Sequence, residues 1–153
     1  MQQPILRLVA NADSEGIIAL IEACYAEYPP NVLLVDEEEP ELRVPESSFD
    51  RFWVLDDGGE IVGTVAAVEH GEFVELKKMY LAIGMRGSGW AQKLQLLVID
   101  FARSLGKGME LWTDTRFERA HSFYQKCGWE MTGETRELHD ASQTTEHRFI
   151  HVG

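Results

Sequence analysis

The sequence predicts one α/β domain over residues 1–153, a mixed and mostly antiparallel sheet with helices packed on both faces. Three observations carry that prediction. Apolar runs at residues 52–55, 61–68 and 73–81 are separated by Asp56-Asp57-Gly58-Gly59-Glu60 and His70-Gly71-Glu72, the pattern of a three-strand antiparallel meander. A glycine-rich turn then leads through an amphipathic helix to another apolar run at 109–113, the order of a parallel crossover. Finally, 153 residues of ordinary apolar content suffice for one domain with a real core.

The elements follow in order. Residues 5–9 read as a short opening strand. Asp13 or Ser14 then caps a helix in which Ile17, Leu20, Ile21 and Cys24 recur at helical spacing, and Pro29-Pro30 stops it. The acidic, proline-bearing stretch 31–45 reads as an irregular loop, with a brief helical turn expected at 46–50. After the meander, Trp90, Leu94, Leu97, Val98, Phe101 and Leu105 share one helical face, while Gln92, Lys93, Gln95 and Arg103 lie on the others. Gly106 and Gly108 end that helix. Phe117, Ala120, Phe123, Tyr124 and Cys127 define a second helix closed by Gly128. Two strands, at 129–132 and 146–152, are joined by a polar loop.

Composition narrows the function. A formal net charge of −12 argues against nucleic acid or an anionic membrane as partner, since both require Lys and Arg. It suits a cationic substrate. No apolar run approaches the roughly 20 residues that span a bilayer, and the N-terminus lacks the basic-then-apolar pattern of a secretory signal, so the expected location is cytoplasmic. Two cysteines, Cys24 and Cys127, are too few for a disulfide framework, and five scattered histidines predict no metal site.

The most specific stretch is Arg86-Gly87-Ser88-Gly89-Trp90-Ala91, between strand and helix. Two glycines at that junction let backbone N–H groups converge, and the helix N-terminus adds free donors and partial positive charge. The combination suits a pyrophosphate.

Residues 74–133 resemble the core of the GNAT-type N-acetyltransferase superfamily. In that family a strand precedes an Arg/Gln-x-x-Gly-x-Gly/Ala turn that holds the pyrophosphate of acetyl-CoA. Arg86 to Ala91 fits the turn, and Met79-Tyr80-Leu81 sits at the usual distance before it. Ala120-His121-Ser122-Phe123-Tyr124-Gln125-Lys126-Cys127-Gly128-Trp129 is similar to the family's second helix with its Tyr…Gly-aromatic ending. The chain departs from the pattern at Trp90, where a smaller aliphatic is usual, and at Phe117, where many relatives carry an Asn that touches the pantetheine arm.

The resemblance implies transfer of an acetyl group from acetyl-CoA directly to a primary amine of a small-molecule or protein acceptor, without a metal. A homodimer is compatible with the family. A non-catalytic acyl-CoA sensor on the same fold is the alternative. It also implies that backbone groups at Met79 and Leu81 hold the pantetheine and polarise the carbonyl, and that Arg86, Gly87, Ser88, Gly89, Trp90 and Ala91 form the cofactor turn. Arg86 would contribute its side chain there, and the others mainly their backbone.

The chemistry needs an acid and a base. An alkylamine with a pKa near 10.4 costs about 4–5 kcal/mol to neutralise at pH 7, so a carboxylate or ordered water near it helps. Glu75 is the candidate base, directly or through water. Strand alternation puts Glu75, Lys77 and Met79 on one face, which fits an acceptor cleft or a solvated face equally. Tyr124 matches the family tyrosine near the CoA sulfur and is the candidate acid; by its spacing alone it is a helix residue with a satisfied hydroxyl. Asp140, Glu146 and His147 stand in the hairpin that lies near the acceptor entrance in this fold, and read either as selectors or as a polar loop. The acidic run Asp36 to Glu39, with Glu41, reads as electrostatic steering for a cation or as a solvated face. His121 and Cys127 read as helix-packing residues.

Overall fold

Along the chain run β1 (Ile5–Leu8), α1 (Ser14–Tyr25), the one-turn helices α2 (Val35–Glu38) and α3 (Pro45–Ser48), β2 (Arg51–Asp57), β3 (Glu60–His70) and β4 (Phe73–Leu81). The long helix α4 (Trp90–Ser104), β5 (Gly108–Asp114), α5 (Glu118–Lys126), β6 (Glu130–Glu137) and β7 (Thr145–His151) follow. The computed structural model describes residues 3–151; Val152, expected at the end of the last strand, lies outside them.

All seven strands form one sheet in the order β1-β2-β3-β4-β5-β7-β6. Only β4 and β5 pair in parallel; the other neighbours are antiparallel. The helices cover both faces. On one, α4 and α5 bury Leu94, Val98 and Tyr124 against Val65, Val74 and Phe149. On the other, α1 buries Ile17 and Ile21 against Phe52 and Val54. These residues are where the helical and strand periods place them.

Several local expectations change. Residues 31–45 are not irregular throughout, because α2 and a 3-10 turn at Pro40–Arg43 order them, with Val35 and Leu42 buried under α1. Asp13 precedes α1 but makes no side-chain cap; its carboxylate is taken by Arg7 at 2.8 Å and by the Ala10 N–H. Gln95 lies in the core rather than on a polar face, where it accepts a 2.8 Å hydrogen bond from the Trp129 indole. β6 extends through Glu137 because its charged residues pair across to β7, Arg136 with Glu146 at 2.7 Å and Glu134 with Arg148 at 2.9 Å.

Two irregularities in β4 build the site. Across β3, the pairing steps from Thr64↔Tyr80 to Ala66↔Lys77, so β4 carries one extra residue: a bulge. Lys78 sits there with φ of +53°, an uncommon conformation for a side-chain-bearing residue. The Thr64 hydroxyl donates to its carbonyl at 2.7 Å, and its ammonium meets Glu39 at 2.6 Å and Glu41 at 3.3 Å. The bulge inverts the alternation. Met79 and Leu81 join the α4 face with Val74 and Leu76, so Met79 does not share a face with Glu75 and Lys77 as simple alternation predicts. Secondly, β4 and β5 pair only from Phe73↔Gly108 to Leu76↔Leu111. Beyond that point the strands diverge and leave a gap in the sheet.

Candidate active site

Two clefts open at the gap. The smaller, about 300 Å³, runs from the end of α1 past the glycine turn to α5. Gly87, Gly89 and Ala91 line one end, and Met79, Leu81 and Phe123 its apolar length. At the turn, Gly87 and Gly89 adopt φ of +76° and +87°. No protein atom would meet a Cβ built at Gly89, so the backbone conformation is what requires glycine there. The N-terminus of α4 has no side-chain cap, and its first helical bond is Lys93 N–H to Gly89 carbonyl at 3.3 Å. The amides of Trp90, Ala91 and Gln92 therefore precede any helical acceptor and carry the positive end of the dipole.

The other turn residues take different places. The Arg86 guanidinium lines the cleft but is forked onto Glu27, just past the end of α1, through two 2.7 Å bonds, and it also donates to the Leu81 carbonyl. That pairing holds the Glu27 carboxyl below its usual pKa. The Ser88 hydroxyl turns back to the Met85 carbonyl. Trp90 packs on the core beneath the Lys93 ammonium, 4.4 Å from the ring centroid, and its side chain is not in the cleft. Tyr28, Cys24 and Arg119 line the cleft although nothing in their own sequence surroundings marks them.

The larger cleft, about 640 Å³, lies on the opposite face. Its floor is the diverging halves of β4 and β5; its rim is the stretch 31–41 on one side and the β6–β7 loop on the other. The two rims are tied together. Ser142 exchanges hydrogen bonds with the Val32 backbone at 2.9 and 3.2 Å, and the Ala141 N–H donates to Glu38 at 2.7 Å. Eight carboxylates line this cleft against the three cations Lys77, Lys78 and Arg136.

Glu75 is among the eight. Its side chain is only 7 % exposed, and its oxygens lie 3.5 Å from His70 and 3.9 Å from Arg136, ion-pair distances without a hydrogen bond. Arg136 stacks 4.3 Å over the Trp112 ring, with Glu146 at 2.7 Å. Asp114, at the end of β5, is buried and held by Arg116 and Asn31. Asp140 accepts from the amide and hydroxyl of Thr144, each at 2.7 Å, and so shapes the rim. His147, by contrast, faces the α5 side, where its ring meets His121 at 5.4 Å. His121 contacts the Asp114 carbonyl, burial lowers its pKa, and it serves packing as its helical position suggests. Among the described residues no three His, Cys, Asp or Glu side chains converge as metal ligands, and no helix is long and apolar enough to cross a membrane.

The clefts meet at a neck whose walls are Met79 and Tyr80 on β4 and Phe117, Ala120 and Tyr124 at α5. Tyr124 packs edge-on against Trp129 at 5.9 Å and beside Phe149 at 6.0 Å. Burial raises its pKa well above that of a free tyrosine, so the hydroxyl stays protonated through neutral pH. Of the two residues expected to do chemistry, Tyr124 lines both clefts at the neck, and Glu75 lines the acidic cleft only.

Comparison with known proteins identifies the family. The model of the Acetyltransferase (GNAT) family matches residues 17–129. The uncharacterized N-acetyltransferase YjgM of Escherichia coli K12 is 31% identical over 139 residues, which cover 84% of this chain and 83% of that protein. N-acetylaspartate synthetase of Danio rerio is 36% identical over 89 residues, 56% of this chain but 32% of that longer protein. Among solved structures, an acetyltransferase from Streptococcus agalactiae superimposes with a TM-score of 0.83 at 17% identity, each chain covered in full. The chain therefore belongs to the GNAT family of acetyl-CoA-dependent N-acetyltransferases.

Proposed function

We propose that this protein transfers the acetyl group of acetyl-CoA directly to a primary amine of a cationic acceptor. The observation that carries the reading is the neck: a narrow apolar cleft beside a glycine turn opens, at Met79 and Tyr124, into a cleft crowded with carboxylates. A donor and an acceptor occupying the two clefts would meet there without a covalent relay through the protein.

The acetyl-CoA thioester supplies an activated acyl group. The turn amides from Gly87 to Ala91 and the α4 N-terminus bind its pyrophosphate, chiefly through backbone because the Arg86 fork is held by Glu27. Glu75, directly or through an ordered water, takes the proton of the acceptor ammonium. Its buried carboxylate makes no hydrogen bond among the described residues, which leaves it able to accept one. Backbone donors at the β4 bulge near Met79 face the negative charge that develops on the carbonyl oxygen. The protonated Tyr124 hydroxyl gives its proton to the departing thiolate and is reprotonated by the second proton that the amine nitrogen sheds as the amide forms. The excess of carboxylates over cations in the acceptor cleft attracts a positively charged amine and disfavours an anionic one.

The test is thiol release from acetyl-CoA against pooled amines, with Tyr124→Phe alongside. Release with a cationic pool, lost in the variant, is the expected result. Confirmed acetyl-CoA binding with no release from any pool would contradict turnover.

A further inference from the structure

An aromatic contact joins the two walls of the cofactor cleft. Tyr28, in the turn after α1, and Phe117, the residue before α5, meet with ring centroids 4.7 Å apart and planes tilted by 44°. Both line the cofactor cleft, and Phe117 reaches the acceptor cleft as well. Neither ring hangs on a loose loop. The Tyr28 N–H donates to the Tyr25 carbonyl and the Tyr28 carbonyl accepts from Asn31, while the Phe117 N–H donates to the Asp114 carbonyl at 3.0 Å. Phe117, Ala120 and Tyr124 follow one another along one face of the α5 segment, so the aromatic bridge stands beside the tyrosine at the neck.

We infer that the Tyr28–Phe117 pair sets the length of the acyl group this enzyme accepts, and that the length it favours is two carbons. This rests on the reading of the smaller cleft as the acetyl-CoA site. An acyl chain starting beside Tyr124 has two directions in which to grow. Toward the α1 wall it meets the paired rings, which already fill that space at van der Waals separation. Toward the other face it enters the acidic cleft, where an alkyl tail would strip water from Glu39 and Glu75 and occupy the amine's place. Ala120, the smallest side chain at the neck, leaves room for a methyl group.

Direct binding tests this without an acceptor. The affinities of the full chain for CoA, acetyl-CoA and butyryl-CoA are measured by calorimetry, in wild type and in Phe117→Ala, Tyr28→Ala and Tyr28→Phe. Wild type should bind butyryl-CoA at least about tenfold more weakly than acetyl-CoA, the scale on which apolar pockets separate neighbouring chain lengths. Either alanine variant should erase most of that gap, read as the ratio of acetyl-CoA to butyryl-CoA affinity, whereas Tyr28→Phe, which keeps the ring, should retain it. If Phe117→Ala fails to fold, Tyr28→Ala on the opposite wall carries the test. Equal affinity of wild type for both acyl-CoAs, or an acetyl-to-butyryl ratio unchanged in the alanine variants, would overturn the inference. Wild type that binds none of the three would overturn the acetyl-CoA reading, and this inference with it.

Discussion

The cofactor cleft and the acceptor cleft share a neck but are built by opposite means. The glycine-turn end of the first is contiguous chain, a strand end, residues 86–89 and the first turn of α4, where the polar groups are backbone amides, and residues from the end of α1 and from α5 complete its walls. The second is assembled from pieces up to 110 residues apart in sequence, such as Val32 and Ser142, and its functional groups are charged side chains. Backbone groups are the same in every protein, so a site made of them is set by chain geometry. A site made of side chains is set by whatever those side chains must recognise. The difference divides the family's shared chemistry from this chain's own selectivity.

Breaking the backbone site should have the largest effect. Gly89→Glu puts a carboxylate and an L-residue at φ +87° beside the pyrophosphate amides, and should abolish acetyl-CoA binding in calorimetry while circular dichroism stays native. Retained binding would move the pyrophosphate elsewhere. At the neck, Tyr124→Phe should lower kcat by about 10²–10⁴ with acetyl-CoA affinity little changed, the scale for loss of a general acid. Unchanged kcat would remove the hydroxyl from the mechanism.

On the acceptor side the effects should be smaller and show in pH. Glu75→Gln leaves the amine to lose its proton unaided, so the rate should go on rising toward the amine's own pKa near 10.4 rather than level off earlier. A profile identical to wild type would assign the base elsewhere. Far from both clefts, Asp13→Asn should cost only about 1–2 kcal/mol in urea unfolding at pH 7, through loss of its charged bonds to Arg7. The Asp13 carboxyl is held below its ordinary pKa, chiefly by hydrogen bonding from Arg7. Its contribution is therefore complete above the ordinary carboxylate value and disappears as pH falls through the depressed one. Wild type and variant should converge in stability under strong acid; a constant gap would contradict the ion pair's role.

Legibility in the sequence follows the same division. The meander, the crossover helix, the glycine turn and the Tyr124 helix were readable because local periodicity and turn chemistry determine them. The β4 bulge was not. No glycine or proline marks Lys78, and its conformation is held by Thr64, Glu39 and Glu41, residues that only the fold brings near. Strand alternation without the bulge places Met79 with Glu75, whereas the bulge turns it to the α4 face. The length of β6 was hidden for a related reason, since Glu134 and Arg136 read as loop until Arg148 and Glu146 are seen opposite them. Arg86 is legible as a residue of the glycine turn, but its partner is not, because Glu27 lies 59 residues away in the turn after the first helix.

The central claim is that the neck joins an acyl-CoA cleft to an anionic acceptor cleft. Its most direct test compares kcat/KM for a diamine, a monoamine of matched length and the corresponding amino acid, at low and high salt. The account predicts the order diamine, monoamine, amino acid, with the diamine's advantage shrinking as salt screens the carboxylates. Preference for the amino acid, or an order indifferent to salt, would contradict it.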